Sequence, residues 1–207
     1  MASKPDRPDS AEDAQAFAYD IVDTALAASR SHPHAMRVGA ARPEDPMFAE
    51  AVHFFTLLHA ARPSAPAAAA EIDAAPWIGR YAALFDEERA WLARQAVTVG
   101  APRRTDLSRH ELLVRGQRDA MLTLARSDRS GCALGAIAAL ACDWPSVRAA
   151  LSRDAEREAG PGVAEVLAAA AATPATRRAI GFGAVQMLAV HRTLWDLLEA
   201  RQAASLP

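Results

Sequence analysis

The sequence predicts an all-α protein, a single-domain antiparallel helical bundle of about six main helices. Three observations carry this. About a quarter of the 207 residues are Ala, the strongest helix former. Aromatic residues make up only 6% of the chain, and β-branched runs are scarce. Apolar residues recur at helical spacing between Ser, Asp, Pro and Gly signals that start and stop helices. A hydrophobic share of 51% suffices for a core, and the length suits one domain over residues 10–204. The polar residues 1–9 are expected to form a disordered arm.

The first helix is expected from Ser10 to about Ser29. Ser10 and Asp13 approximate a capping box, and Phe17, Ala18, Ile21 and Ala25 share one face. "SRSHPHAMRVGAARPEDP" reads as a loop because it holds three prolines and a glycine. Asp45 then caps a helix with Pro46 in its first turn, running to about Arg62. Asp73 is expected to cap the next, which ends near Val99 at Gly100. Ser108 and Glu111 form a capping box for a helix to about Ser127. Residues 131–142, "GCALGAIAALAC", are apolar all round, so this short helix is expected at the bundle centre, too short for a bilayer. Its Gly131, Gly135 and Ala139 would permit close approach of a neighbour. Asp143 and Pro145 are expected to restart the chain as a separate helix to about Ala159. After "GPG", a short Ala-rich helix leads to Thr173 and Pro174, which open the last helix, to about Ala203.

Three expected core stripes each carry one polar side chain. The last helix has Ile180, Ala184, Met187, Leu188, Leu194, Trp195 and Leu198, with His191 at the centre. The helix ending at Val99 has Tyr81, Leu84, Phe85, Trp91 and Leu92, with Glu88 between them. The next has Leu113, Ala120, Met121 and Leu124, with Gln117 among them. A buried carboxylate needs a partner or a proton, and an imidazole or an amide can serve. Glu88, Gln117 and His191 are therefore expected to approach one another. Trp91 and Trp195 would wall a ligand pocket at that point. The bland alternative is a set of core side chains satisfied by backbone, water or arginine.

Glu50 and His53 form Glu-x-x-His, but Glu50 falls at the edge of its apolar arc and His53 almost opposite the centre. His32 and His34 in "SHPHA" read as a solvated loop, and His59 as a helix-end residue flanking the core. The basic pairs Arg103–Arg104 and Arg177–Arg178 read as solvated surface. Neither cysteine has the setting of a thiolate nucleophile. There is no phosphate-cradling glycine loop and no nucleophile elbow.

A net charge of −2 gives no general pull towards nucleic acid or an anionic membrane. Cys132 and Cys142, ten residues apart on one apparent helix, are too distant to bridge. Free thiols and a polar N-terminus without an apolar signal region predict a cytoplasmic protein. Tyr19 and Leu26, opposite the core face of the first helix, mark a candidate homodimer contact.

"EERAWLARQAVTVGAP" (87–102) and "GCALGAIAALACDWPSVRAAL" (131–151) resemble segments of an uncharacterised bacterial all-helical family of unknown function, a resemblance that implies no activity. The helix count and the single Glu-x-x-His also loosely resemble ferritin-like bundles, where such units hold two metals. A second unit is missing, since Leu188 stands three residues before His191. The expected function is thus a non-enzymatic helical protein binding a protein partner or a small ligand, without a cofactor. The alternative implied by the ferritin-like resemblance is an iron or manganese oxidoreductase using Glu88, His191 and Glu50.

Overall fold

The structure is a computed structural model, and it describes residues 11–61, 74–102, 106–152 and 162–204. Among these, eight helices and no strand are present: α1 (Ala11–Ala28), α2 (Pro33–Ala40), α3 (Pro46–Leu58), α4 (Ala75–Val99), α5 (Leu107–Ala125), α6 (Cys132–Ser152), α7 (Val163–Ala170) and α8 (Pro174–Ala203). The all-α class read from the sequence is the class observed.

Several boundaries reflect the local chemistry. The Asp45 carboxylate accepts the Met47 N–H at 2.9 Å and Pro46 occupies the first turn, so α3 starts where its cap places it. The Thr173 hydroxyl does the same for Thr176 N–H at 3.1 Å ahead of Pro174. Gly100 adopts φ +77°, a left-handed value that favours glycine, and ends α4. The caps expected from Ser10 and Asp73 fall outside the described residues, as does the arm at 1–9.

Three expectations are corrected. The supposed loop after α1 contains α2. His32 caps it by accepting the His34 N–H on Nδ1 at 3.2 Å, and Pro33 sits at the first position, where a proline starts a helix rather than breaking one. The Ser108–Glu111 capping box does not form. Helix α5 begins at Leu107 after Asp106 with no side-chain cap, and Glu111 instead meets His53 of α3 at 2.9 Å. Lastly, no break separates residues 131–142 from Asp143 and Pro145. α6 runs straight through Pro145, with Asp143 inside the helix. An interior proline costs about 3 kcal/mol. Here that cost is outweighed by packing, because α6 is buried along nearly its whole length.

α6 is the central element, and α8 is its principal partner. The two cross at glycines. A Cβ at Gly135 would lie 2.0 Å from the Ile180 carbonyl oxygen, and one at Gly183 would lie 2.0 Å from that of Cys132. α1, α2, α5 and α7 also pack on α6, and α3 packs on α4 and α5. By length and composition α6 could cross a membrane, at mean hydropathy 1.2. Of that stretch 89% is buried inside the fold, as in the core helix of a bundle.

Candidate functional site

His191 lies on the buried stripe of α8, as its position in the apolar run predicts, and is 1% exposed. Its partners come from two other helices. Nδ1 meets Asp143 Oδ2 of α6 at 2.6 Å, and Nε2 meets His59 Nε2, at the C-terminal cap of α3, at 3.0 Å. Asp143 is fully buried and also accepts from Ser29, just past α1: the backbone N–H reaches Oδ1 at 2.7 Å and the hydroxyl reaches Oδ2 at 2.8 Å. The Trp195 indole N–H donates to the Ser29 hydroxyl at 3.0 Å. Trp195, Ser29, Asp143, His191 and His59 thus form one continuous buried chain of hydrogen bonds.

Proton positions are set by these partners. A carboxylate facing His191 Nδ1 places the proton on that nitrogen. Burial, then the neighbouring His191, holds the His59 pKa well below the usual histidine value, so His59 is neutral. With the His191 ring proton on Nδ1, its Nε2 accepts and His59 Nε2–H donates. His59 Nδ1 is then a lone pair, and it has no hydrogen-bond partner. Phe55, Phe85 and Trp144 surround that ring, with centroids 6.4, 5.3 and 5.2 Å away. An orphaned acceptor in such a box is cheaper than an orphaned N–H donor, which the other arrangement would leave there.

The expected trio does not bond together. Glu88 of α4 accepts the Trp144 indole N–H at 3.1 Å and the Arg148 guanidinium at 2.5 Å, both from α6. Arg148 also stacks 4.1 Å over the Trp91 ring. Both of His191's nitrogens are engaged by Asp143 and His59, so it reaches neither Glu88 nor Gln117. Gln117 is half-buried, and its Oε1 has no hydrogen-bond partner. Trp144 lies between the two groups, bonded to Glu88 on its indole nitrogen and packed on His59 by its ring. Trp91 and Trp195 therefore belong to two separate clusters rather than to one pocket wall.

Glu50 and His53 also diverge. Glu50 is buried and pairs with Arg201 of α8 at 2.6 Å, whereas His53 turns to Glu111. Glu50, Glu88 and His191 are each held by different residues, Arg201, Arg148 and Asp143, and two of the three partners are guanidinium groups. They do not converge as a metal site needs. Among the described residues the acid and histidine groups whose ligand atoms converge are His32, Asp196 and Glu199.

His32 and His34 are 8% and 1% exposed, not solvated as expected, because α2 folds them against Trp195. In the sequence Asp143 reads as a helix start, and nothing there marks Ser29 or Arg148. One signal does point to Asp143: it is the lone carboxylate in a segment apolar on every side.

Two open grooves flank α8. The larger, about 810 Å³, runs between the C-terminal half of α5, the α5–α6 connection and α8. Met121, Leu124, Phe182 and Val190 wall it, and Arg126, Asp128 and Arg129 sit at its rim. The Arg129 guanidinium lies 5.9 Å from the Phe182 ring centroid. Among the described residues neither Arg126 nor Arg129 has a carboxylate partner. The second groove, about 660 Å³, lies between α1 and α8. Leu188 and Ala189 line its length, and His32, Arg192, Asp196 and Glu199 stand at one end.

Fold and site together define an all-α bundle with a buried serine–aspartate–histidine–histidine chain at its centre. The chain belongs to a family of unknown function, DUF6975, whose profile matches residues 24–205. No curated protein and no solved structure matches the sequence.

Proposed function

We propose that this is a cytoplasmic, non-enzymatic helical protein that binds a small amphipathic anion in the groove between α5 and α8. The supporting observation is the pair Arg126 and Arg129, two guanidinium groups without carboxylate partners among the described residues, at the rim of an apolar-walled groove of about 810 Å³. Pockets of this size hold small molecules, with an apolar body set against the walls and a few polar groups fixing orientation. Arginine suits a carboxylate or phosphate head because its planar fork binds two oxygens at once. Asp128 on the same rim selects against a doubly charged head that would crowd it. In this reading the buried chain from Trp195 to His59 is structural. It ties α1, α3, α6 and α8 together and leaves ligand recognition to the surface. The cytoplasmic assignment is supported by Cys132 and Cys142, which are buried and unbridged.

Calorimetric titration with decanoate, and with decanol as the uncharged control, tests the reading. Decanoate is expected to bind more tightly than decanol. A charge-assisted hydrogen bond contributes about 1.5–3 kcal/mol, so Arg126→Ala and Arg129→Ala should each weaken decanoate about tenfold or more. Equal affinity for decanol, or unchanged decanoate binding in both variants, would overturn it.

A further inference from the structure

We propose that His32, Asp196 and Glu199 form a binding site for one divalent transition metal ion of the zinc type, at the end of the α1–α8 groove. This goes beyond the anion-binding reading and uses a different groove.

The ligand atoms of the three residues all lie within 4.8 Å of one another. Asp196 and Glu199 stand three apart on α8 and so share a face. His32 arrives from the turn between α1 and α2 with its ring already fixed. It is 8% exposed, its ring stacks on Trp195 at 6.3 Å with a 28° tilt, and its Nδ1 caps α2. Its Nε2 meets Asp196 at 3.0 Å. One imidazole and two carboxylates suit a borderline ion of the zinc class. The carboxylate side chains are 57% and 40% exposed, so coordination positions remain open towards the groove. Arg37 pairs with Glu199 and would compete with a metal ion for it.

The tautomer of His32 sharpens the proposal. A backbone N–H is only a donor, so His32 Nδ1, which accepts from His34 N–H, carries no proton. The ring proton therefore sits on Nε2 and is donated to Asp196. A metal ion on Nε2 displaces that proton to Nδ1, with no net release from the ring. The His34 N–H then loses its acceptor. Metal binding and the cap of α2 compete, and so do metal binding and the Arg37–Glu199 pair.

Titration of the untagged full chain with zinc, followed calorimetrically and by amide hydrogen exchange, tests this. One equivalent is expected to bind. Asp196→Asn and Glu199→Gln should each weaken it tenfold or more, and their exposure keeps both substitutions clear of the core. Arg37→Gln should tighten zinc severalfold, because the competitor is gone. Exchange at the His34 amide should speed up when zinc binds. Absence of a bound equivalent at micromolar zinc overturns the proposal. So does undiminished binding in Asp196→Asn, or a His34 amide that zinc leaves unchanged. None of these outcomes bears on decanoate binding at the other groove, so the two readings stand or fall separately.

Discussion

Asp143 is fully buried and takes three hydrogen bonds, two from Ser29 and one from His191. Asparagine keeps the shape but offers one acceptor oxygen and one donor amide. Either the Ser29 N–H at the Oδ1 position, or the Ser29 hydroxyl and His191 together at the Oδ2 position, must then face the amide donor. If His191 moves its proton to Nε2 to accommodate the amide, His59 must accept, and an N–H donor is orphaned in the aromatic box. Asp143→Asn should therefore cost about 2–3 kcal/mol in urea unfolding, the usual penalty for losing charge-assisted bonds to buried donors. A loss under about 0.5 kcal/mol would show that the junction does not depend on this carboxylate. Half of this pair is legible in the sequence. His191 stands out because it interrupts an apolar stripe. Asp143 is hidden by Pro145, two residues on, since Asp followed closely by Pro ordinarily reads as a helix start. His59 is ambiguous for a similar reason: it sits one residue beyond α3, where position on a helical wheel has no meaning.

At the scale of elements, the α6–α8 crossing carries the fold, and it depends on missing side chains. A methyl group at Gly135 or Gly183 would collide with backbone of the facing helix, which cannot swing aside as a side-chain end can. The helices would have to separate along a seam that buries Ile180, Ala184 and Met187. Overpacking of this kind costs about 1–3 kcal/mol, and the backbone clash puts Gly135→Ala and Gly183→Ala at the upper end or above. At Gly116 on α5 an added methyl group would meet nothing within 4 Å, so Gly116→Ala should instead stabilise by about 0.5–1 kcal/mol. Thermal melts of the three variants check the contrast, and equal shifts would refute the crossing geometry. The seam on the α6 side is readable from the small residues of "GCALGAIAALAC". The α8 side is not, because "GFGAV" looks like an ordinary weak spot in a helix. The buried face of α5 keeps Met121 of its expected stripe but is displaced by one position at either end. Val114 and Ala125 are buried where Leu113 and Leu124 were expected, while Leu113 is 53% exposed. Three consecutive apolar residues, Leu112 to Val114, leave the phase of a wheel undetermined, and only the neighbouring α3, α6 and α8 fix it.

The whole molecule should be acid-sensitive well above the range in which carboxylates titrate, because it buries histidines as neutral rings. His34 is pushed down to about 4, by burial first and then by Arg37, with Glu199 opposing and His32 adding to the shift. His59 lies well below the usual value, through burial, His191 and Arg89. In the unfolded chain both would take up a proton near the ordinary histidine value of about 6.5. Below that pH the unfolded state binds more protons than the folded one, so stability falls as pH falls. The slope approaches about 1.4 kcal/mol per pH unit for each such group. Both contribute from about pH 6.5 downward, and the His34 share levels off near pH 4, where the folded form also protonates. Between pH 7.5 and 5 His34 should therefore cost the fold about 2 kcal/mol, and His59 acts in the same direction. Overall composition holds no hint of this, since a net charge of −2 and six histidines are unremarkable. The effect comes from α2, a helix hidden behind prolines in the sequence, which carries His34 into the interior against Trp195. His34→Phe keeps an aromatic ring there and removes the titrating group. Its urea-unfolding free energy, followed from pH 7.5 to 5, should decline by about 2 kcal/mol less than that of the parent protein. Parallel pH profiles for the two proteins would mean that His34 takes up its proton without loss in the folded state.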